Sequence, residues 1–423
     1  MKATGTLLEA VYRSPADSML SRRHRKPCVY QAYLPEPLRG LRLALPGDVV
    51  ADVADAERAV LELNLHPGRS GDLEALARVL LRAEAVASSR IEGLTVAHRR
   101  LLRYEAAQMS GVQLADVTAQ AVLGNVAAMQ TAMAAADKPG PLDLDDLLKI
   151  HVALMSASDH PEYGGVLRQE QNWIRGQTPC VAEFVPPPHT EVERLMLDLC
   201  GFLEDDGLPP LVQAAIAHAQ FETIHPFLDG NGRAGRALIH VVLRRRGLAP
   251  RYVPPVSLAL ATHADAYVAG LTAYRSVGDS ATEEAQAGVA EWISTAATAT
   301  RRACAQAETL AGDLEALQSR WREQVRPRRN STADLLLGLL GRAPVLTVGT
   351  AAALTGRSVV AAGKAVEQLV AGDVLKQTTI GRRNRAFEAT EVFDVLVDDE
   401  RGLASPTGDT FTDPPVRPVP DRR

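Results

Sequence analysis

Residues 225–236 read His-Pro-Phe-Leu-Asp-Gly-Asn-Gly-Arg-Ala-Gly-Arg, placing a base, a carboxylate and two guanidinium groups within one short stretch. An imidazole titrates near neutrality and suits proton abstraction from a hydroxyl. Asp229 offers hard oxygens to a hard divalent cation. Arg233 and Arg236 stand three apart, so on a helix both forks can reach the same phosphates. An apolar, helix-like segment from Leu211 to Ile224 leads into His225, and a second helix is expected from Arg233 to Gly247. A loop that ends at a helix N-terminus presents unpaired backbone N–H groups and the positive end of the dipole, a ready anion site. Gly230 and Gly232 let the backbone close tightly on that anion. An ordinary helical corner requires neither the histidine nor the paired arginines.

The elements that must position this stretch are mostly helical. Aromatic residues make up only 4% of the 423, and alanine and leucine are abundant, which favours helix over sheet. The chain up to about Pro46 reads as an irregular arm, with a basic run at Arg22-Arg23-His24-Arg25-Lys26. Helices are expected from Ala54 to Leu63, along a stripe through Leu76, Leu80, Leu81, Ala85 and Ile91, and over Thr118–Ala136 and Leu142–Met155. Prolines and glycines between Pro161 and His189 forbid a long helix, and Cys180 to Val185 reads as a short strand or hairpin. Further helices are expected at Glu191–Leu203, Thr262–Ser276 and Ala281–Val325, the last read as two on grounds of length. His151 and His218 read as core histidines. Tyr252, Tyr267 and Tyr274 are candidates for an adenine pocket.

The segment 326–330, Arg-Pro-Arg-Arg-Asn, reads as a linker. After it come helices over Thr332–Leu340, Val348–Leu354 and Ser358–Ala371. Strands follow at Val374–Thr379 and Ala386–Thr390, flanking the basic loop Ile380-Gly-Arg-Arg-Asn-Arg385. This is the layout of a winged helix–turn–helix, in which Arg382, Arg383 and Arg385 would meet phosphates. Net charge is −5, yet Arg320 to Ala386 holds 12 Lys/Arg against 4 Asp/Glu, an asymmetry that suits a polyanion.

Four cysteines, Cys28, Cys180, Cys200 and Cys304, form no CxxC pair and suggest neither a zinc site nor a disulfide framework. With no signal-like segment and no apolar run long enough to span a bilayer, the expectation is a cytoplasmic protein without membrane contact.

The stretch His225–Arg236 matches HxFx(D/E)GNGRxxR at every fixed position, and the chain resembles the Fic (filamentation induced by cAMP) family over roughly residues 35–300. Tyr163–Trp173 and Phe184–Pro188 resemble the segments that bracket that family's substrate flap, here Gly176–Pro186. Ser88-Ser-Arg-Ile-Glu92-Gly93 fits the family's inhibitory motif, (S/T)xxxE(G/N). The resemblance implies a mainly α fold: a Fic-type helical bundle with a small β-hairpin flap, joined here to the winged-helix-like (α+β) unit. The domains expected are 1–110, helical with the inhibitory helix; 111–300, catalytic; 301–330, a helical linker; 331–400, winged-helix-like; and 401–423, a disordered tail.

The implied activity is transfer of AMP from ATP to a Ser, Thr or Tyr hydroxyl of a protein, itself included among the targets. In that reading His225 is the base and Asp229 holds Mg²⁺. Gly230, Asn231, Gly232, Arg233, Gly235 and Arg236 bind the phosphates, Asn231 and the backbone amides of residues 230–233 serving the α-phosphate. Ser88, Glu92 and Gly93 inhibit by engaging Arg236. Two alternatives stay open: removal of AMP from a modified protein, and a DNA-binding regulator that uses the Fic domain as a nucleotide sensor. A homodimer is left open too.

Overall fold

The computed structural model describes residues 4–14, 21, 24–41, 43–65, 73–278, 282–381 and 384–404. Part of the amino-terminal arm is regular, against expectation. Strands β1 (Thr4–Tyr12) and β2 (Cys28–Pro35) pair antiparallel, from Gly5 opposite Pro35 to Tyr12 opposite Cys28. Apolar residues fall on both faces of this ribbon, which is why strict alternation does not announce it; Leu7, Val11 and Val29 remain exposed.

Helices α1 (Gly47–Leu65), α2 (Leu73–Ile91), α3 (His98–Met109), α4 (Val117–Asp137) and α5 (Leu144–Met155) follow. Asp116 caps α4 by accepting from the Ala119 N–H, and Asp143 with Asp146 forms a reciprocal capping box on α5. After the Pro- and Gly-rich segment come α6 (His189–Leu203), α7 (Pro210–Ile224), α8 (Asn231–Arg245), α9 (Val256–Thr262) and α10 (Ala264–Tyr274). Every residue of α7 from Leu211 to Ile224 is buried. Its alanines at 214, 215, 217 and 219 admit neighbours on all sides, so α7 is the central helix and its C-terminal end is held rigidly. The two-residue β3 (Ser276–Val277) then joins β1 in parallel, giving the order β2-β1-β3.

Helix α11 runs without a break from Glu283 to Val325, 43 residues or roughly 65 Å. The expected division into two helices is therefore wrong. No proline interrupts the stretch, Thr282 caps its start, and packing along its whole length replaces the need for a bend. Its first half lies against α1, α7, α9 and α10, with Trp292 Nε1 donating to the Ala215 carbonyl at 2.8 Å.

The second half of α11 enters a carboxy-terminal unit of α12 (Thr332–Leu339), β4 (Val345–Leu346), α13 (Val348–Thr355), α14 (Val359–Ala371), β5 (Lys376–Ile380), β6 (Asn384–Glu388) and α15 (Thr390–Ala404). Its strands are ordered β4-β6-β5, all antiparallel. Residues 401–404, assigned to a disordered tail by sequence, complete α15; residues 405–423 lie outside the described residues. No helix among the described residues is long and apolar enough to cross a membrane.

Gly288 is where α11 meets α10: a Cβ there would drive into the backbone carbonyl oxygen of Ala273. Alanine gains up to about 1 kcal/mol over glycine in a helix. Overpacking against rigid backbone costs about 1–3 kcal/mol. Gly288→Ala therefore lowers stability, contrary to helix propensity, and denaturant unfolding will show a reduced midpoint.

Candidate active site

His225 ends α7 in the left-handed region, at φ 49° and ψ 62°, with its N–H bonded to the Phe221 carbonyl at 2.9 Å. This conformation is uncommon outside glycine and asparagine, and it turns the chain sharply out of the helix. Arg168, which sequence reasoning missed, holds it there. The Arg168 guanidinium donates to the carbonyls of His225 (2.9 Å), Glu170 (3.0 Å) and Pro187 (2.5 Å), and its own N–H to that of Pro226 (2.9 Å). A planar fork with several donors can join the loop after α7, the 168–172 segment and the flap root at one point.

Phe227 is fully buried and stacks on His151, ring centroids 3.6 Å apart. His151 Nδ1 accepts from the Gly165 N–H, so its Nε2–H donates to the Asp229 carbonyl at 2.9 Å. Both side chains thus hold the loop, and His151 is structural as expected. Asn231 departs from expectation. Its Oδ1 accepts from the Phe227 N–H (2.8 Å) and its Nδ2 donates to the Phe227 carbonyl (2.9 Å), so one donor and one acceptor of its amide serve the loop itself.

Gly230, at φ 78°, opens α8, and no side chain caps that helix. The helix starts at Asn231, two residues earlier than the spacing suggests. The Gly230 N–H already donates to Asp229 Oδ1 at 2.7 Å, which leaves the amides of residues 231–233 as the uncapped donors. Asp229 is largely exposed, its other oxygen 3.5 Å from Arg233. Arg233 is buried with its Nε unpartnered.

Arg236 is 1% exposed and is gripped by residues 88–92. Its Nε donates to Ser88 Oγ at 2.9 Å, and one terminal nitrogen donates to the Ser88 carbonyl and to Glu92 Oε1, both at 2.8 Å. The Glu92 carboxylate rests directly over Gly232, where a Cβ would collide with it, beside the open start of α8. Burial alone would raise the Glu92 carboxyl. Arg236, then Arg233 and His225, hold it below the usual carboxylate range. Gly93 sits at φ 81° and closes the turn after α2.

Two further groups lie within reach that no local pattern revealed. Glu222, one turn before His225 on α7, places Oε2 3.9 Å from His225 Nδ1. Burial, reinforced by the Glu92 charge, pushes its carboxyl up to about 7. Arg275 donates to Thr223 Oγ1 (3.2 Å) and the Glu222 carbonyl (3.3 Å), and lies 3.9 Å over the Phe184 ring. Burial first, then the charges of Arg275 and Arg168, push the His225 imidazole down to about 4, so it is a free base at neutral pH. The i−3 spacing of Glu222 was the one signal available in sequence.

The flap is less regular than expected: a single bridge joins Ile174 to Phe184, and a 3₁₀ turn covers Pro179–Val181. Its root bonds to β2 through the Tyr33 N–H and the Val185 carbonyl at 2.9 Å, and Cys180 is disulfide-bonded to Cys28. The expectation of no disulfide is therefore overturned. Cysteines 152 residues apart carry no local signature, and the hairpin that brings them together was itself missed.

His218 is buried and bonds Tyr267 at 2.9 Å, while Tyr252, Tyr267 and Tyr274 all lie in the core. Arg385 is exposed and donates to Gln377 at 3.0 Å; Arg382 and Arg383 lie outside the described residues. Arg168→Met would strand buried carbonyls that the guanidinium now satisfies. Thermal or denaturant unfolding will show a loss of about 3 kcal/mol.

Residues 141–243 match the Fic/DOC family model, and residues 50–134 match the Fic/DOC family N-terminal model. Protein adenylyltransferase fic-1 of Caenorhabditis briggsae is 33% identical over 129 residues, 30% of this chain and 23% of that protein. Protein adenylyltransferase Fic of Drosophila grimshawi is 34% identical over 116 residues, 27% of this chain and 22% of its own length. The chain thus spans under a quarter of the length of these curated relatives. A solved Fic family protein from Desulfovibrio desulfuricans, 22% identical, aligns with a TM-score of 0.47 over 82% of this chain and 98% of that one.

Proposed function

We propose, for a chain whose residues 141–243 match the Fic/DOC family model and whose residues 50–134 match that family's N-terminal model, protein adenylyltransferase activity: transfer of AMP from ATP to a protein hydroxyl, restrained by Glu92. The observation that carries the reading is the junction of α7 and α8. A neutral imidazole at the end of one helix faces the uncapped start of the next, where an internal carboxylate already rests against a buried arginine. The amides of residues 231–233 with Arg233 suit the phosphates, in the manner of helix N-termini that bind anions.

His225 takes the proton of the target hydroxyl. The hydroxyl oxygen forms its bond to the α-phosphorus, the bond to the bridging oxygen of the β-phosphate breaks, and pyrophosphate leaves. Arg233 and Arg236 orient that leaving group when Arg236 is available. Asp229 fits Mg²⁺ as a single exposed carboxylate, an arrangement typical of a cation otherwise ligated by substrate phosphates and water. When bound, the ion would neutralise phosphate charge. The flap edge suits main-chain pairing with a target segment.

Glu92 acts as a brake by holding Arg236 and by covering the start of α8. Loss of one charged hydrogen bond is worth about 1.5–3 kcal/mol, so Glu92→Gly raises incorporation of labelled AMP at least tenfold or so. His225→Ala lowers it about 10³-fold while ATP binding persists. Failure of Glu92→Gly to incorporate AMP into itself or any lysate protein would sink the reading, as would release of AMP from a modified protein in place of its addition.

The pH dependence has a definite sign. A depressed imidazole pKa keeps the base unprotonated as pH falls, so the acid limb of transfer by Glu92→Gly lies near pH 4 and not near the ordinary value of about 6.5. Removing a positive neighbour with Arg275→Met moves that limb to higher pH, which a pH–rate profile will resolve.

The carboxy-terminal unit is proposed as a winged-helix-like module. DNA binding through Arg385 belongs to the same proposal, and steep salt dependence of duplex binding is its test.

A further inference from the structure

Helix α2 lies between two bodies. On one side it meets α8 and α9: Glu84 accepts from the Ser257 N–H at 2.8 Å and lies 3.0 Å from His240 of α8, and Ser88 with Glu92 grips Arg236. On the other it meets the carboxy-terminal unit along its length. Arg342 pairs with Glu74 at 3.1 Å, the Arg342 carbonyl accepts from Arg82 at 3.1 Å, and Arg90 pairs with Glu400 of α15. Residues 88 and 92 stand four apart and share a face, while Arg90, between them, projects to the opposite one.

The Arg90–Glu400 pair is nearly enclosed: Glu400 is 3% exposed and is also held by His98 at 2.9 Å. A second anchor lies close by. Glu388 of β6, 1% exposed, sits between Arg99 (2.7 Å) and Arg103 of α3, and Arg103 also donates to Thr378 of β5 at 2.7 Å. The backbone bonds that close the last turn of α2 are local: the Glu92 and Leu94 N–H groups donate to the Ser89 carbonyl (3.1 and 3.0 Å) and the Gly93 N–H to the Arg90 carbonyl (2.8 Å). A turn of that kind frays readily unless its side chains are held.

We propose that docking of the carboxy-terminal unit, through Glu400 on Arg90, holds the turn that carries Glu92 and so sets the strength of the brake on Arg236. This rests on the reading of Glu92 as inhibitory. Undocking α15 would strip a mostly buried guanidinium of its counter-ion, and Arg90 would have to turn toward water. The turn from Ser88 to Gly93 then loosens, and Arg236 is released to a nucleotide. Anything that engages the carboxy-terminal unit in its undocked form shifts the equilibrium by its differential affinity for the two states.

The test uses the full chain and two readouts: hydrogen–deuterium exchange of the amides of residues 90–94, and self-incorporation of labelled AMP. Glu400→Gln should speed that exchange and raise incorporation, each about tenfold. Glu400→Gln combined with Glu92→Gly should match Glu92→Gly alone, because both act through one contact. Glu388→Gln loosens the same unit without touching Arg90 and should reproduce both changes; it also stands in if Glu400→Gln does not fold. Unchanged exchange in either folded variant overturns the proposal. So does a gain that adds to that of Glu92→Gly, or a response confined to Glu400→Gln. Absence of AMP transfer in Glu92→Gly would instead remove the adenylyltransferase reading, while exchange still decides whether α15 holds the turn.

Discussion

A guanidinium taken out of water must be given an anion, and Arg236 is almost wholly out of water. Burial works against its charge, yet Glu92, Tyr267 and Glu222 hold it firmly protonated. The partner it has is a carboxylate carried on the turn after α2. On the proposed function, the partner it accepts in exchange is a phosphate at the start of α8, where a helix begins without a cap. On that proposal the two anions compete for one place, which ties α2, far away in sequence, to the residues of α8. Its cost if left unresolved also explains the packing around it: Ser88 supplies two acceptors, and Glu84 with Ser257 fixes α2 one turn earlier.

The same economy of charge shapes His225. Two arginines, the buried Arg168 and the half-buried Arg275, stand near it, and among the described residues neither is paired with a carboxylate at hydrogen-bonding distance; their donors go to carbonyls and a threonine hydroxyl. They fasten the left-handed turn and at the same time disfavour a proton on the imidazole. The same side chains therefore bear on position and, after burial itself, on basicity, and a change to either arginine alters both.

Legibility in the sequence followed distance along the chain. His225, Asp229, Arg233 and Arg236 were readable because a helix, a bend and a helix bring them together locally. The Ser88–Glu92 segment was readable only through family resemblance, since nothing in its spacing names Arg236 as its partner. Arg168, Arg275 and the Cys28–Cys180 bond were invisible, each depending on an approach made by tertiary folding. Asn231 was assigned to phosphate because its type suits that task, but the loop uses both ends of its amide on Phe227. The β1–β2 ribbon escaped because its exposed apolar residues blur the two-residue period. For α11, length suggested two helices, and only the bodies packed on either side of it explain one.

The order of strands β2-β1-β3 has a consequence for how the chain is made. Cys28 leaves the ribosome well before Cys180, and although β1 can pair with β2 early, its other edge waits longer still, since its parallel neighbour is Ser276–Val277. That edge therefore stays open until residue 276 has emerged, a contact of long sequence separation. During that interval the ribbon's apolar side chains are uncovered, and a nascent chain halted before residue 276 would present them to whatever chaperone or neighbouring polypeptide it met first.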